Sequence, residues 1–263
     1  MRTRVQAWSP TTLGEYSYGL CLTIELLDRI GGLPNLVAAP LMPTLQQEAA
    51  LGFDLAIEAR WILLCLQFKI STKLVRRNAG QAAHFGVPYF RFPVKTDQTS
   101  NGQCQHNTLC DLERSLSGVG EHVRYAAPIF DTHDELTTLA RAGALAEQSV
   151  FIPPMRLGPV TPGDTHHFAY STRRNVRPFS KPGAEIDASF EGLINQLRST
   201  STEQRTLERF LVSCDLLLGE ATNRQGLRDL APGRAAAIDA VALDVQPLLI
   251  GVLDPILGSR SAN

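Results

Sequence analysis

The chain has 263 residues, 44% of them apolar and 19% charged, a composition that suits a packed globular protein and excludes collagen-like and disordered classes. Its formal net charge is -1, from 25 Lys and Arg against 26 Asp and Glu, so the total by itself points to no polyanionic partner. No apolar run reaches the length of a transmembrane helix and the N-terminal stretch lacks the apolar core of a signal peptide, so a cytoplasmic protein with no membrane partner is expected.

Taken in chain order, Tyr16 to Ile30 carries Tyr16, Leu20, Ile24 and Leu27 at helical spacing before Gly31-Gly32, which predicts an amphipathic helix. Asn35 to Met42 reads as a short strand that Pro40 confines to an edge, and Gly52 to Ile57 as a second strand. Arg60 to Ser71 is the clearest strand, with Leu64, Leu66, Phe68 and Ile70 on one side and Cys65, Gln67, Lys69 and Ser71 on the other. Pro88 to Val94 predicts another strand, Asn107 to Leu116 a helix and Val123 to Phe130 a return to extended structure. Further short strands are expected at Ser149 to Ile152 and His167 to Tyr170. Beyond Gly183 the pattern is helical, at Asp187 to Arg198, Glu203 to Leu218 and Arg234 to Leu257. The expected organisation is therefore an α/β core of mixed sheet and flanking helices over 1–182, followed by a helical C-terminal subdomain over 183–263.

The phosphate-loop, dinucleotide-fold and nucleophile-elbow motifs are all missing. Cys104, His106 and Cys110 lie close together, but a structural zinc site needs four ligands and no second pair stands at the right spacing, so zinc is not expected. What remains is a set of carboxylates, an amide and a lysine. Asp54 opens one strand, and Gln67 and Lys69 share a face at the end of the next, where a hairpin would bring them together. Glu48, just before Asp54, or Glu25 on the first helix could add a second carboxylate. Carboxylate oxygens bind Mg²⁺ or Mn²⁺, and a nearby lysine stabilises negative charge that develops during phosphodiester hydrolysis. A plainer reading also exists: Gln and Lys at a strand end are often its first solvent-facing residues, and an Asp after Gly is often a turn residue.

At Asp54 and Gln67-Phe68-Lys69 the sequence resembles the PD-(D/E)xK nuclease superfamily, and within it Mrr-like restriction endonucleases with a QxK third motif. The resemblance spans about half of the chain. It implies a restriction-endonuclease-like core ordered helix, three strands, helix, strand, placed at Tyr16–Ile30, Asn35–Met42, Phe53–Ile57, Trp61–Ile70, Asn107–Leu116 and Val123–Ala127. It further implies Asp54 as metal ligand, a contribution from Gln67 and the Phe68 carbonyl, Lys69 as catalytic lysine and Glu25, in competition with Glu48, as the second acid. A magnesium-dependent endonuclease acting in restriction or phage defence would follow.

Charge distribution adds a separate argument. From Arg60 to Lys95 there are seven basic residues, among them Lys73, Arg76 and Arg77, and no acidic one. A second basic stretch holds Arg156, Arg173, Arg174, Arg177 and Lys181, interleaved with Tyr170 and Phe179. Such stretches suit a nucleic-acid backbone and unstacked bases. Gln105-His106, opening the second helix, would lie near the end of the Gln67 strand, with His106 placed to meet a phosphate. Residues 1–182 hold 18 basic and 15 acidic side chains and residues 183–263 hold 7 and 11, so the near-zero total hides a mildly basic core. DNA is the expected partner, RNA the alternative. Rival readings are a catalytically inactive nucleic-acid-binding or protein-interaction module on the same fold, and a homo-oligomer or adaptor acting through the C-terminal helices.

Overall fold

The protein is described from a computed structural model, over residues 13–59, 62–78, 81–97, 104–116, 121–179 and 185–199. It is a mixed α/β protein in which two four-stranded sheets and several helices enclose two apolar cores. Sheet A holds β1 (Leu55–Ala59), β2 (Ile62–Phe68), β5 (Glu121–Pro128) and β6 (Ser149–Ile152), in that spatial order. The β1/β2 and β5/β6 pairs are antiparallel, whereas β2 and β5 run parallel and need a long crossover. That crossover contains β3 (Thr72–Leu74), a short α3 (Ala82–Phe85), β4 (Tyr89–Val94) and α4 (Gln105–Ser115). Sheet B, ordered β3, β4, β7 (His166–Thr172), β8 (Asn175–Phe179), is antiparallel throughout.

Alternation along β2 decides which core each residue enters. Leu64, Leu66 and Phe68 pack with Tyr18, Leu22 and Leu26 of α1 (Glu15–Arg29), while Leu63 and Cys65 face Leu109 and Leu112 of α4 and Phe92 and Phe168 of sheet B. The division of β2 expected from period two is thus the observed one. Helix α5 (His133–Ala142) and α6 (Phe190–Ser199) add Leu136, Phe190 and Leu193 to the α1 side.

The first helix lies where its periodicity places it, but its buried face is the other one. Tyr16, Leu20 and Ile24 are 78%, 43% and 61% exposed, and Tyr18, Gly19, Leu22, Thr23 and Leu26 turn inward. Gly19 selects this face. A Cβ there would stand 2.6 Å from Cδ2 of Phe68, so only a residue without a side chain lets α1 come so close to β2. Asn35–Met42 is not a regular strand. A 3-10 turn at Leu33–Asn35 leads into extended chain that touches β1 only through isolated bridges, Leu36 to Ala59 and Leu41 to Ala56, because Pro40 has no N–H to extend a ladder.

The Pro88–Val94 strand forms as β4 but joins sheet B rather than extending sheet A. Residues 185–199 share the core of the preceding chain: Phe151 N–H donates to Ala188 O at the β6 edge and Phe190 packs on Phe151. The helices expected at 203–218 and 234–257, and with them the oligomerisation reading, lie outside the described residues. Among the described residues no helix is long and apolar enough to cross a membrane.

Replacing Gly19 by Val should force the Phe68 ring aside and lower stability by roughly 1–3 kcal/mol, as overpacking does elsewhere. Urea unfolding checks this, and an unchanged midpoint would show that the α1/β2 contact is not as tight as described.

Candidate functional site

The β1/β2 register pairs Leu55 with Leu66, and Asp54 continues the ladder by donating its N–H to Leu66 O at 2.8 Å. Asp54 therefore stands across from the end of β2, on the face of Cys65 and Gln67. Its Oδ2 accepts two hydrogen bonds, from Gln67 Nε2 at 2.7 Å and from the Phe68 N–H at 2.7 Å. Lys69 follows directly, and its N–H donates to Ala126 O at 2.9 Å, carrying the parallel β2/β5 pairing one residue further. The hairpin thus joins Asp54 to Gln67 through a direct hydrogen bond, with Lys69 next along the chain and within electrostatic reach of Asp54.

Glu48 arrives on α2 (Leu45–Leu51), a helix opened by a capping box between Thr44 and Gln47 and closed by Gly52 at φ +80°. A Cβ on Gly52 would stand 3.0 Å from Leu109 Cγ and 3.3 Å from Gln105 O, so this glycine lets α2 lie against α4. The close approach brings in Gln105, which the sequence places near the end of the Gln67 strand but to which it gives no role, that role going to His106. Gln105 Nε2 donates both to Glu48 Oε1 at 3.1 Å and to Gln67 Oε1 at 3.1 Å. Two amides therefore link two carboxylates in one chain, Glu48, Gln105, Gln67, Asp54. Gln67 is 1% exposed, its nitrogen donates to Asp54 and its oxygen accepts from Gln105, so it holds the Asp54 carboxylate in place.

Glu25 is not part of this group. Buried on α1, it accepts the N–H of Leu145 at 2.7 Å and of Ala146 at 3.0 Å and is bridged to Arg29 at 2.8 Å. It caps the 3-10 turn at Ala146–Gln148, far along the helix from the site. The acid of α1 that acts on the site is Glu15, whose charge is felt by both Asp54 and Lys69. It stands at the helix N-terminus, outside the periodic stretch read from sequence.

His106 is a core residue. It is 0% exposed, its Nδ1 lies 2.8 Å from the Tyr125 hydroxyl, its Nε2 lies 2.9 Å from Gly158 O, and its ring stacks on Tyr125, so no phosphate reaches it. Tyr170 is also fully buried and Phe179 stacks on His167, which removes both from the aromatics available to unstacked bases. The basic residues fare differently. Arg76 and Arg77 are exposed, Arg173 is half-buried, and Arg174 is exposed beside Glu191 at 3.5 Å. Lys73 bridges Asp131 at 3.1 Å over the Phe90 ring.

Electrostatics at the site follow from burial. Burial pushes the Asp54 carboxyl up to about 7; the Phe68 N–H and the Lys69 ammonium oppose this, while the Glu48 and Glu15 carboxylates add to it. Burial also lowers the Lys69 ammonium from its ordinary value, against the pull of Glu15, Asp54 and Glu48 and with the help of Lys95. Among the described residues no three His, Cys, Asp or Glu side chains converge as a metal cluster. The chemistry of the donors nevertheless suits a hard cation: two carboxylates lie in one hydrogen-bonded chain, and Gln105, whose Nε2 links them, keeps a buried Oε1 without a hydrogen-bond partner.

Between its ordinary value of 3.8 and about 7, the Asp54 carboxyl keeps its proton in the folded state and loses it in the unfolded one. The stability it contributes is present in acid and lost as pH rises through 7. Asp54→Asn should flatten this dependence. Urea midpoints of both proteins between about pH 5 and about pH 8 test it, and parallel curves would show that Asp54 titrates normally.

Compared with known proteins, the chain matches no family model, no curated sequence and no solved structure.

Proposed function

We propose that the protein is a metal-dependent nuclease, acting on DNA, with a restriction-endonuclease-like core. The observation that carries this reading is the convergence of Asp54, Gln67 and Lys69 at adjoining ends of two paired strands, with Glu48 joined to them through Gln105. Part of the element order supports it: helix α1 precedes the antiparallel β1 and β2, and helix α4 precedes β5, which runs parallel to β2, although α2 stands before β1 and β3, α3 and β4 are inserted between β2 and α4.

On this reading Asp54 and Glu48 would hold Mg²⁺ or Mn²⁺, with Glu15 contributing negative charge. When bound, the cation polarises a phosphoryl oxygen and acidifies a water. The chain's own residues do the rest. Gln67 and the Phe68 N–H orient the Asp54 carboxylate, and Lys69 presents a cation to the negative charge that builds on the phosphoryl oxygens. Exposed Arg76, Arg77 and Arg174, with Arg173, offer phosphate contacts to a polyanion.

A second reading, a binding module on the same fold, is favoured by one observation: the described residues contain no three-ligand metal cluster. One experiment separates the two. Wild type, Asp54→Ala and Lys69→Ala are incubated with linear, plasmid and single-stranded DNA and with RNA, in Mg²⁺, Mn²⁺ or EDTA. Cleavage should require the metal, and each substitution should slow it about 10²–10³-fold. Cleavage that survives both substitutions rejects these residues, and binding without cleavage on every substrate selects the binding module.

A further inference from the structure

Gln105 sits at the first turn of α4, 7% exposed, in a position where its amide has no freedom to turn over. Its Nε2 donates to Glu48 Oε1 and Gln67 Oε1, both acceptors; exchanging oxygen and nitrogen would set three oxygens against one another. The orientation of Gln67 is fixed in the same way, because its Nε2 serves the Asp54 carboxylate and its oxygen must then face α4. With both donors committed, Gln105 Oε1 is left buried and without a partner. A buried carbonyl oxygen of this kind costs stability until a donor meets it.

The neighbours show what that donor can be. Glu48, Asp54 and Gln105 Oε1 all accept, and the Lys69 ammonium offsets only part of the negative charge of Asp54, Glu48 and Glu15, so an occupant that brings hydrogen-bond donors and positive charge together suits the group. A hydrated divalent cation does both: carboxylates take the metal, and its remaining waters donate outward.

Resting on the metal-dependent reading above, we infer that Gln105 is a positioning residue for the cation: its amide nitrogen sets the separation of Glu48 from the Asp54–Gln67 pair, and its Oε1 accepts from a water of the hydrated ion. The role comes from α4, outside the Asp and QxK positions, and requires no contact between Gln105 and the metal. Groups behind metal ligands act in this way by fixing ligand orientation before the ion arrives.

The test is Mn²⁺ binding by the full chain without nucleic acid, measured by isothermal titration calorimetry on wild type, Gln105→Leu and Asn107→Ala, with thermal unfolding of each metal-free protein. Asn107 lies on the same helix and holds Val160 through both its amide atoms at 2.9 Å, so its loss disturbs α4 without touching the site. Gln105→Leu should weaken Mn²⁺ binding roughly 10–100-fold at unchanged stoichiometry. Asn107→Ala should lower the unfolding temperature and leave Mn²⁺ affinity unchanged. If Gln105→Leu does not fold, Gln105→Met keeps length and helix propensity and is judged on the same criterion. Wild-type affinity in the Gln105 variant, or equal weakening in the Asn107 variant, overturns the role of Gln105 and leaves the nuclease reading standing. Failure of wild type to bind Mn²⁺ overturns the metal-dependent reading, and this inference with it.

Discussion

The arrangement around β2 depends on one constraint, a carboxylate placed at the end of a buried strand. Asp54 cannot be left without donors there. The Phe68 N–H supplies one and Gln67 Nε2 the other, and satisfying Asp54 dictates which way the Gln67 amide faces. That choice requires a donor opposite Gln67 Oε1, which α4 provides through Gln105, and the same nitrogen secures Glu48. Helix α2 reaches that nitrogen only because Gly52 permits it to lie close against α4. Four segments are thus aligned by one set of hydrogen bonds, and Lys69, next along the chain from Phe68, is placed by the backbone.

Much of this was legible where a strong local pattern coincided with a buried element. Strand β2 declared both faces through Leu64, Leu66 and Phe68 against Cys65 and Gln67, and the Asp54–Gln67 meeting followed from hairpin geometry. Helix α1 declared its extent but not its orientation, since Tyr16, Leu20 and Ile24 form as good an apolar stripe as Tyr18, Leu22 and Leu26. Tertiary packing, through the missing side chain of Gly19, made that choice. Helix α2 has no apolar period, and its signal was the Thr44-x-x-Gln47 capping pattern.

Gln105 shows the limit of reading along a chain. It and His106 are one position apart, which on a helix is about 100° of rotation. His106 turns into the core against Tyr125 and Gln105 turns to the carboxylates. Histidine draws attention as the titratable residue, yet nothing local marks which of the two faces the site; only the packing of α2 on α4 distinguishes them. Glu25 and Glu15 divide in the same manner, one spent on capping a turn near β6 and the other standing at the helix N-terminus, where its charge acts on Lys69.

Sheet B has a consequence for the order in which the molecule is assembled. Every residue of the hydrogen-bonded chain lies between Glu48 and Gln105, so these contacts close over modest stretches of sequence. The sheet beside them does not. Strand β4 pairs with β7, Arg91 opposite Ala169, and β8 follows later still. A chain emerging from its N-terminus therefore holds β3 and β4 as a two-stranded ribbon, marginal in water, until β7 is available. Closing that long loop costs chain entropy before the β4/β7 pairing repays it, and the apolar inner face of β4, with Phe90, Phe92 and Val94, stays uncovered by β7 until then.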